Sequence, residues 1–390
     1  MSTLRIAGSR GIPANHGGFE TFAERLALHL SRDGWGVTVY CQSEATGTLE
    51  ESSWQGVKRI HIPVRFKGAL GTVEFDLKTT WHAARSPGLV LSLGYGTSIF
   101  SVLYRMYGRT NLINMDGIEW RRQKWSRLQR IWLFANERLG CWLGDHLIAD
   151  HPAIKEHLAT RVRESKISMI AYGADRVETA DVRQLSRVRV RPDGYALLVG
   201  RVEPENSVLE IVEAFSSRRR GIELLVLGRF DRESNPYHGK VLDAASKEVR
   251  FPGAIYDPPL LAALRLYAKA YVHGHQVGGT NPSLVEALGA GSPVIAHDNP
   301  FNRWVAGDGA LYFASRQQCE KQLDLVLRDD LVRRRMSALN RARHATYFTW
   351  DKILTQYEAL LSAWQEQEIA AVPPKPAESL QQQSAHGGDS

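Results

Sequence analysis

Cysteine is scarce in this chain: Cys41, Cys141 and Cys319 are its three, far apart and without a C-x-x-C pair. With no histidine cluster at zinc spacing beside them, a disulfide framework and a metal knuckle are excluded, and a reducing compartment fits. Long apolar runs are also missing. No stretch approaches the roughly 18 consecutive apolar residues that a membrane span needs. The start, Met1 to Gly8, is too short and too soon interrupted by Arg10 for a signal peptide, so a cytoplasmic location is expected. The third absence is the G-x-G-x-x-G fingerprint. The glycines after the first apolar run are spaced otherwise, and no acidic residue ends the second run at Tyr40-Cys41-Gln42, so no nicotinamide or flavin cofactor is expected. No carboxylate pair has metal-like spacing either.

What is present is ordinary for a folded enzyme-sized protein. The 390 residues, 43% hydrophobic and 23% charged, suit two or three units each able to bury a core. Lys+Arg 49 against Asp+Glu 42 leaves a charge of +7, which suits nucleotides, nucleic acid or acidic lipid without choosing among them.

Short apolar runs alternate with longer amphipathic stretches, the pattern of parallel sheets crossed by helices. The runs are 4–7, 37–40, 89–93, 112–115, 146–149 and 167–170 in the first half, and 196–199, 224–227, 271–273 and 294–296 in the second. The expected fold is α/β: two doubly wound Rossmann-like domains facing across a cleft, over 1–175 and 195–348. Arginine-rich 176–194 reads as a solvated linker between them. A C-terminal helix over 349–364 is placed to return to the first domain, and the Pro, Gln and Gly of 365–390 read as a disordered tail.

Three loops carry candidate chemistry. Gly17 and Gly18 open a helix marked by Phe19, Phe22, Leu26 and Leu30, so a phosphate or sugar hydroxyl can dock at its N-terminus; a tight βα turn is the plainer reading. Arg201 leaves the carboxyl end of the strand at 196–199, where a guanidinium can clamp a diphosphate, or merely pair with Glu203 or Glu205. The segment from His273 to Ala296 reads strand, glycine loop, helix, strand. Amides of Gly279, Thr280, Asn281 and Ser283 would face an anion, and Glu286, one helical turn in, can accept ribose hydroxyls or simply offset the helix dipole.

These segments resemble a known family. Gly200-Arg201, Glu286-Ala287 and Gly291-Ser292-Pro293-Val294-Ile295-Ala296 are similar to the G-R, E-A and G-x-P-V-I-A signatures of family 4 glycosyltransferases with the GT-B fold. The opening Gly11-Ile12-Pro13-Ala14-Asn15-His16-Gly17-Gly18-Phe19-Glu20-Thr21-Phe22 and Asn114-Met115-Asp116-Gly117-Ile118-Glu119-Trp120 resemble its bacterial rhamnosyltransferase-type branch. The resemblance implies transfer, with retention, of a sugar (L-rhamnose as the best match) from a nucleoside-diphosphate donor such as dTDP-rhamnose. The acceptor it implies is a saccharide, lipid-linked, in bacterial surface polysaccharide synthesis. Asp116 stands where the family often has a histidine facing the donor sugar, and with Arg201 it is the catalytic candidate; Asp-Gly is also a common turn pair. Gly278 and Asn206 replace a glutamate and a lysine of the wider family, so amides at Gly279 and Thr280 would take over sugar contacts and Arg201 would carry more of the diphosphate charge. A sugar-nucleotide epimerase of the same fold and a non-catalytic nucleotide- or RNA-binding protein are the rival readings. The absence of an RNA-recognition motif argues against nucleic acid.

One further run, Trp120 to Trp132, mixes three tryptophans with Arg121, Arg122, Lys124, Arg127 and Arg130. It reads equally as a helix lying on an anionic membrane surface, making the protein peripheral at the inner face of the plasma membrane, or as a helix whose tryptophans pack on the sheet.

Overall fold

A computed structural model describes residues 2–15, 17–44 and 47–370. The first half carries strands β1 Thr3–Ala7, β2 Gly36–Ser43, β3 Glu50–Trp54, β4 Val57–Pro63, β5 Leu89–Leu93, β6 Asn111–Asn114, β7 His146–Ala149 and β8 Ile167–Met169. Its helices are α1 Gly18–Arg32, α2 Gly68–Ala84, α3 Val102–Met106, α4 Arg127–Leu143 and α5 Pro152–Ala159. The sheet runs β3-β4-β2-β1-β5-β6-β7-β8 and is parallel except for β3 against β4. The second half has β9 Tyr195–Val199, β10 Glu223–Leu227, β11 Val249–Arg250, β12 Ala270–His273, β13 Val294–His297 and β14 Ala310–Phe313. They form a parallel sheet in the order β11-β10-β9-β12-β13-β14. Its helices are α6 Val208–Ser216, α7 Pro236–Asp243, α8 Pro258–Leu266, α9 Pro282–Gly289, α10 Pro300–Ala306, α11 Arg316–Arg328, α12 Asp330–Tyr347 and α13 Trp350–Ala370.

Strands with helices on both faces must be apolar throughout, which is why the ten continuous runs each mark one. The edge pair β3 and β4 is polar (Glu50-Glu51-Ser52-Ser53 in β3) and escaped that test. In both sheets the strand order reverses beside the first strand, between β1 and β5 and between β9 and β12. Such switch points open a crevice at the carboxyl ends of the strands.

Two boundaries differ from expectation. Residues 176–194 are not a solvated linker throughout: Asp181 caps a 3₁₀ turn, Val182–Val188, that buries Leu185 and Val188 and packs on α8. The arginines there mask two apolar residues three apart, enough for one turn to dock. The last helix runs to Ala370 rather than 364. It packs on α1, with Tyr357 4.6 Å from Phe22 and Ile353, Tyr357 and Leu361 buried. Of the expected tail, 371–390 lies outside the described residues. Among the described residues no helix is long and apolar enough to cross a membrane.

Candidate functional site

The crevice of the second sheet faces the first domain and closes into a cavity of about 230 Å³. Arg201 follows β9, and His275 follows β12 two residues beyond its end. Among the described residues the Arg201 guanidinium makes no ion pair; Glu205 is engaged by Arg122 instead. Asn206 donates its side-chain amide to the Arg201 carbonyl at 2.8 Å and so holds that loop. The N-terminus of α9 completes this wall with Gly279, Thr280 and Asn281.

The opposite wall is acidic. Asp116 follows β6 in a left-handed conformation, φ 50°, that aspartate tolerates better than most residues. Its N–H donates to Asn114 Oδ1 at 3.0 Å, and Asn114 Nδ2 donates to the Tyr357 hydroxyl at 2.8 Å, so the returning helix α13 braces the catalytic candidate. Asp150 directly follows β7. Its Oδ2 accepts the Thr280 N–H at 2.8 Å and its carbonyl accepts the Thr280 hydroxyl, while Oδ1 has no partner. Arg122, buried, donates across the domain boundary to Glu205 at 2.6 Å and also to Glu119 at 2.8 Å. Gly117 meets Gly278 backbone to backbone, 3.3 Å from where a Cβ would stand.

Burial dominates the electrostatics. It pushes Asp150 up to about 7, helped by the Asp116 charge. It pushes Asp116 up to about 6, with Glu119 adding and Arg122 and Arg201 opposing. Lys124 is lowered to about 8 by burial and by Arg122 and Arg201. His275 is held well below its usual range by burial, then by His273 and Arg201, so it is a neutral imidazole that can accept or donate one hydrogen bond. The arrangement sets a fixed cation and helix amides, able to hold a diphosphate, against carboxylates able to accept hydroxyl protons.

Of the residues singled out from sequence, Gly18, Asp116, Arg201, Gly279, Thr280 and Asn281 line this cavity. Gly17, φ 82°, is the N-cap of α1, next to the cavity wall rather than in it. Asn281 Oδ1 accepts from the Ser283 N–H at 3.1 Å and the Ser283 hydroxyl at 2.8 Å, so this pair caps α9. Glu286 lies outside the cavity lining, paired with Arg265. Thr280's amide, expected to be open to a ligand, is taken by Asp150.

Sequence reading missed Asp150, Glu119, Arg122 and His275. Asp150 was findable, because it ends an apolar run just as Asp116 does; the Arg122–Glu205 pair, 83 positions apart, left no local signal.

The run from Trp120 to Trp132 is not one helix. A 3₁₀ turn, Glu119–Arg121, precedes a capping box at Ser126 that starts α4. The tryptophans are tied inward, Trp120 Nε1 to Glu137 at 2.7 Å and Trp132 Nε1 to the Gly96 carbonyl at 2.8 Å. Arg127 and Arg130 remain exposed, beside Leu128 and Ile131 at 80% and 66% exposure.

Comparison with known proteins agrees with this fold. Residues 186–343 match the family "Glycosyl transferases group 1", and residues 1–175 match a domain of unknown function, DUF1972. A phosphatidyl-myo-inositol mannosyltransferase of Mycobacterium leprae is 25% identical over 245 residues, 57% of this chain and 63% of that protein. The match thus spans less than two thirds of that relative. Among solved structures, a sucrose-phosphate synthase from Thermosynechococcus elongatus superposes with a TM-score of 0.78 at 17% identity, over 95% of this chain and 100% of that one. Anabaena HepE in complex with UDP and glucose gives 0.73 at 14%, over 93% and 100%. The second half is thus similar to glycosyl transferases group 1 over residues 186–343, and the two sheets together have the GT-B architecture.

Proposed function

We propose that this chain is a sugar-nucleotide-dependent glycosyltransferase that moves a sugar onto a saccharide acceptor. The observation that carries the reading is the cleft itself: an unpaired Arg201 and the N-terminus of α9 on one wall, facing Asp116 and Asp150 on the other. The nucleoside diphosphate sits on the second domain. Arg201 and the α9 amides stabilise the diphosphate as it leaves, with no metal in the scheme. For that, Thr280 must release Asp150, whose carboxylate holds the amide a phosphate oxygen would take. At about 230 Å³ the cavity is also below the ~300–1,000 Å³ usual for ligand sites, so donor entry requires the domains to part. Asp116 and Asp150 then face the acceptor hydroxyl and are placed to orient it or receive its proton. Retention of configuration, L-rhamnose from dTDP-rhamnose and a lipid-linked acceptor at the inner membrane surface are the finer reading. The resemblance of the Gly11–Glu20 and Asn114–Trp120 segments to the rhamnosyltransferase-type branch supports it. Exposed Leu128 and Ile131 beside Arg127 and Arg130 on α4 support the membrane contact.

The test is a thermal-shift screen of UDP, dTDP, GDP and their sugars on wild type and Arg201→Ala. A ligand at 100 times its dissociation constant raises stability by about 2.7 kcal/mol. Arg201→Ala should weaken the best nucleotide roughly ten- to hundred-fold, the worth of a charge-assisted bidentate contact. Equal shifts in both proteins would remove Arg201 from the site. Release of free nucleotide or isomerised sugar without acceptor would favour an epimerase.

A further inference from the structure

The helix that returns from the second half of the chain brings a polar group into the cleft. Tyr357 of α13, 1% exposed, lines the cavity together with Asn114, Asp116 and Asp150. Its ring is held by apolar packing, 4.6 Å from Phe22, with the buried Ile353 and Leu361 one helical turn to either side. Its hydroxyl oxygen accepts from Asn114 Nδ2 at 2.8 Å. Burial keeps this phenol neutral by pushing it above its ordinary range, against the Asn114 hydrogen bond and with the Asp150 charge.

Asn114, the last residue of β6 and itself buried, has a second bond to make. Its Oδ1 accepts the N–H of Asp116, two residues on, at 3.0 Å, the contact of an Asx turn. A carboxamide is nearly symmetric in shape, and its partners decide which end is oxygen and which is NH2. The Tyr357 oxygen makes that decision here. Without it a flipped amide would set an NH2 group against the Asp116 N–H, donor facing donor. Asp116 needs the support, because its φ of 50° lies in the left-handed region, where a residue with a Cβ is kept by its surroundings. The turn also has little room to drift: a Cβ on Gly117 would stand 3.3 Å from Gly278 of the second domain.

We propose that Tyr357 is a positioning residue for Asp116: its hydroxyl orients the Asn114 carboxamide, the carboxamide holds the left-handed turn, and the turn aims the Asp116 carboxylate into the cleft. The C-terminal helix is then part of the reaction site and not only a clasp on the first domain. That Asp116 meets a reacting group rests on the transferase reading; the chain of contacts from Tyr357 to Asp116 does not. A tyrosine that only filled space would need its ring against Phe22 and no oxygen at this spot, so the hydroxyl is the part to remove.

The experiment compares wild type with Tyr357→Phe, Asn114→Ala and the double variant. Phenylalanine keeps the ring packing and takes away only the oxygen. The first readout is the Asp116 carboxyl, followed by NMR in protein with isotopically labelled aspartate and assigned by its loss in Asp116→Asn. In wild type it should titrate at about 6, among Glu119, Arg122, Arg201 and Asp150, none of which these variants touch. In both single variants it should fall toward the ordinary aspartate value of about 4, as the loosened turn admits water. The second readout is nucleoside diphosphate release from dTDP-rhamnose, UDP-glucose and GDP-mannose, with methyl α-L-rhamnopyranoside as acceptor. Tyr357→Phe should lower kcat about ten-fold and leave the KM for the nucleotide sugar within about two-fold, because the donor sits on the second domain. The double variant should be no slower than Asn114→Ala alone, since both substitutions cut one chain of contacts. An unmoved Asp116 titration in Tyr357→Phe, a raised KM with kcat unchanged, or additive losses in the double variant would each overturn the proposal. Asn114→Ala breaks the same chain from its other end, so if Tyr357→Phe does not fold, an unmoved titration there overturns it equally. The titration decides alone if none of these sugars is turned over, and failure of all of them to bind wild type would sink the transferase reading instead.

Discussion

The two sheets solve the same topological problem with opposite chemistry. At the β9/β12 switch point the second domain places Arg201 and the start of α9, cationic and rich in N–H donors; at β1/β5 the first domain places Asp76 among hydroxyls, with no cation in the wall. The switch point determines where a ligand can sit, and the few side chains at its rim determine which charge it carries. Between the two lie Asp116 and Asp150, so a chain with a net charge of +7 presents a locally acidic wall to its cleft. Net charge therefore says little about the chemistry of either crevice.

The sharpest way to break this contrast is to cut the pair that holds the walls together. Arg122 of the first domain and Glu205 of the second are both buried, with Gln123 N–H adding a third contact to Glu205 at 3.1 Å. Arg122→Ala strands the Glu205 carboxylate, and a broken buried pair costs about 3–5 kcal/mol. Urea unfolding should show a loss of that order, and Glu205→Gln added to it should recover part, because the uncompensated charge is gone. An unchanged midpoint would mean the closed arrangement does not depend on this pair.

That pair also shows where sequence reading stops. Ten strands, their order of appearance and the loops at 17–18, 116, 201 and 279–281 were legible, since buried parallel strands and glycine turns leave local patterns, while β3, β4, β11 and β14 were missed. Glu286, read as an acceptor for ribose hydroxyls or as an offset to the helix dipole, pairs with Arg265, 21 positions away. The Asp150–Thr280 contact spans 130 positions and Asn114–Tyr357 spans 243. Periodicity and spacing carry no information on such contacts, and the site's electrostatics is made of them.

A smaller effect distinguishes the acidic wall from the basic one by pH. Asp150, pushed up to about 7 in the folded state against an ordinary aspartate in the unfolded chain, binds its proton more tightly when folded. Its contribution is therefore full below about pH 4 and is lost as the pH rises through about 7, with Asp116 acting in the same direction around 6. The unliganded protein should lose on the order of 2 kcal/mol between pH 5 and 8 from this source, a figure reduced from the full linkage value for solvent relaxation. Asp150→Asn should flatten that part of the melting-temperature profile. An identical slope in the variant would place the pH dependence elsewhere.

The smallest expected effect lies on the outer face of the first domain. Helix α4 exposes Leu128 and Ile131 next to Arg127 and Arg130 at its start, and Trp142, at 73%, near its end. Trp120 and Trp132 are hydrogen-bonded inward, so the apolar contact falls to residues other than the tryptophans that suggested it. Each basic residue near an anionic surface contributes about 1 kcal/mol. Reversing Arg127 and Arg130 to glutamate should release the protein from phosphatidylglycerol vesicles while leaving transfer to a soluble acceptor intact. Salt should mimic the change, because screening shortens the attraction to about 8 Å at physiological ionic strength. Leu128→Ser with Ile131→Ser should weaken binding even at low salt, since it removes the apolar part of the contact. Equal binding to neutral and anionic vesicles would discard the electrostatic half of the contact. No binding to either would count against membrane contact by α4.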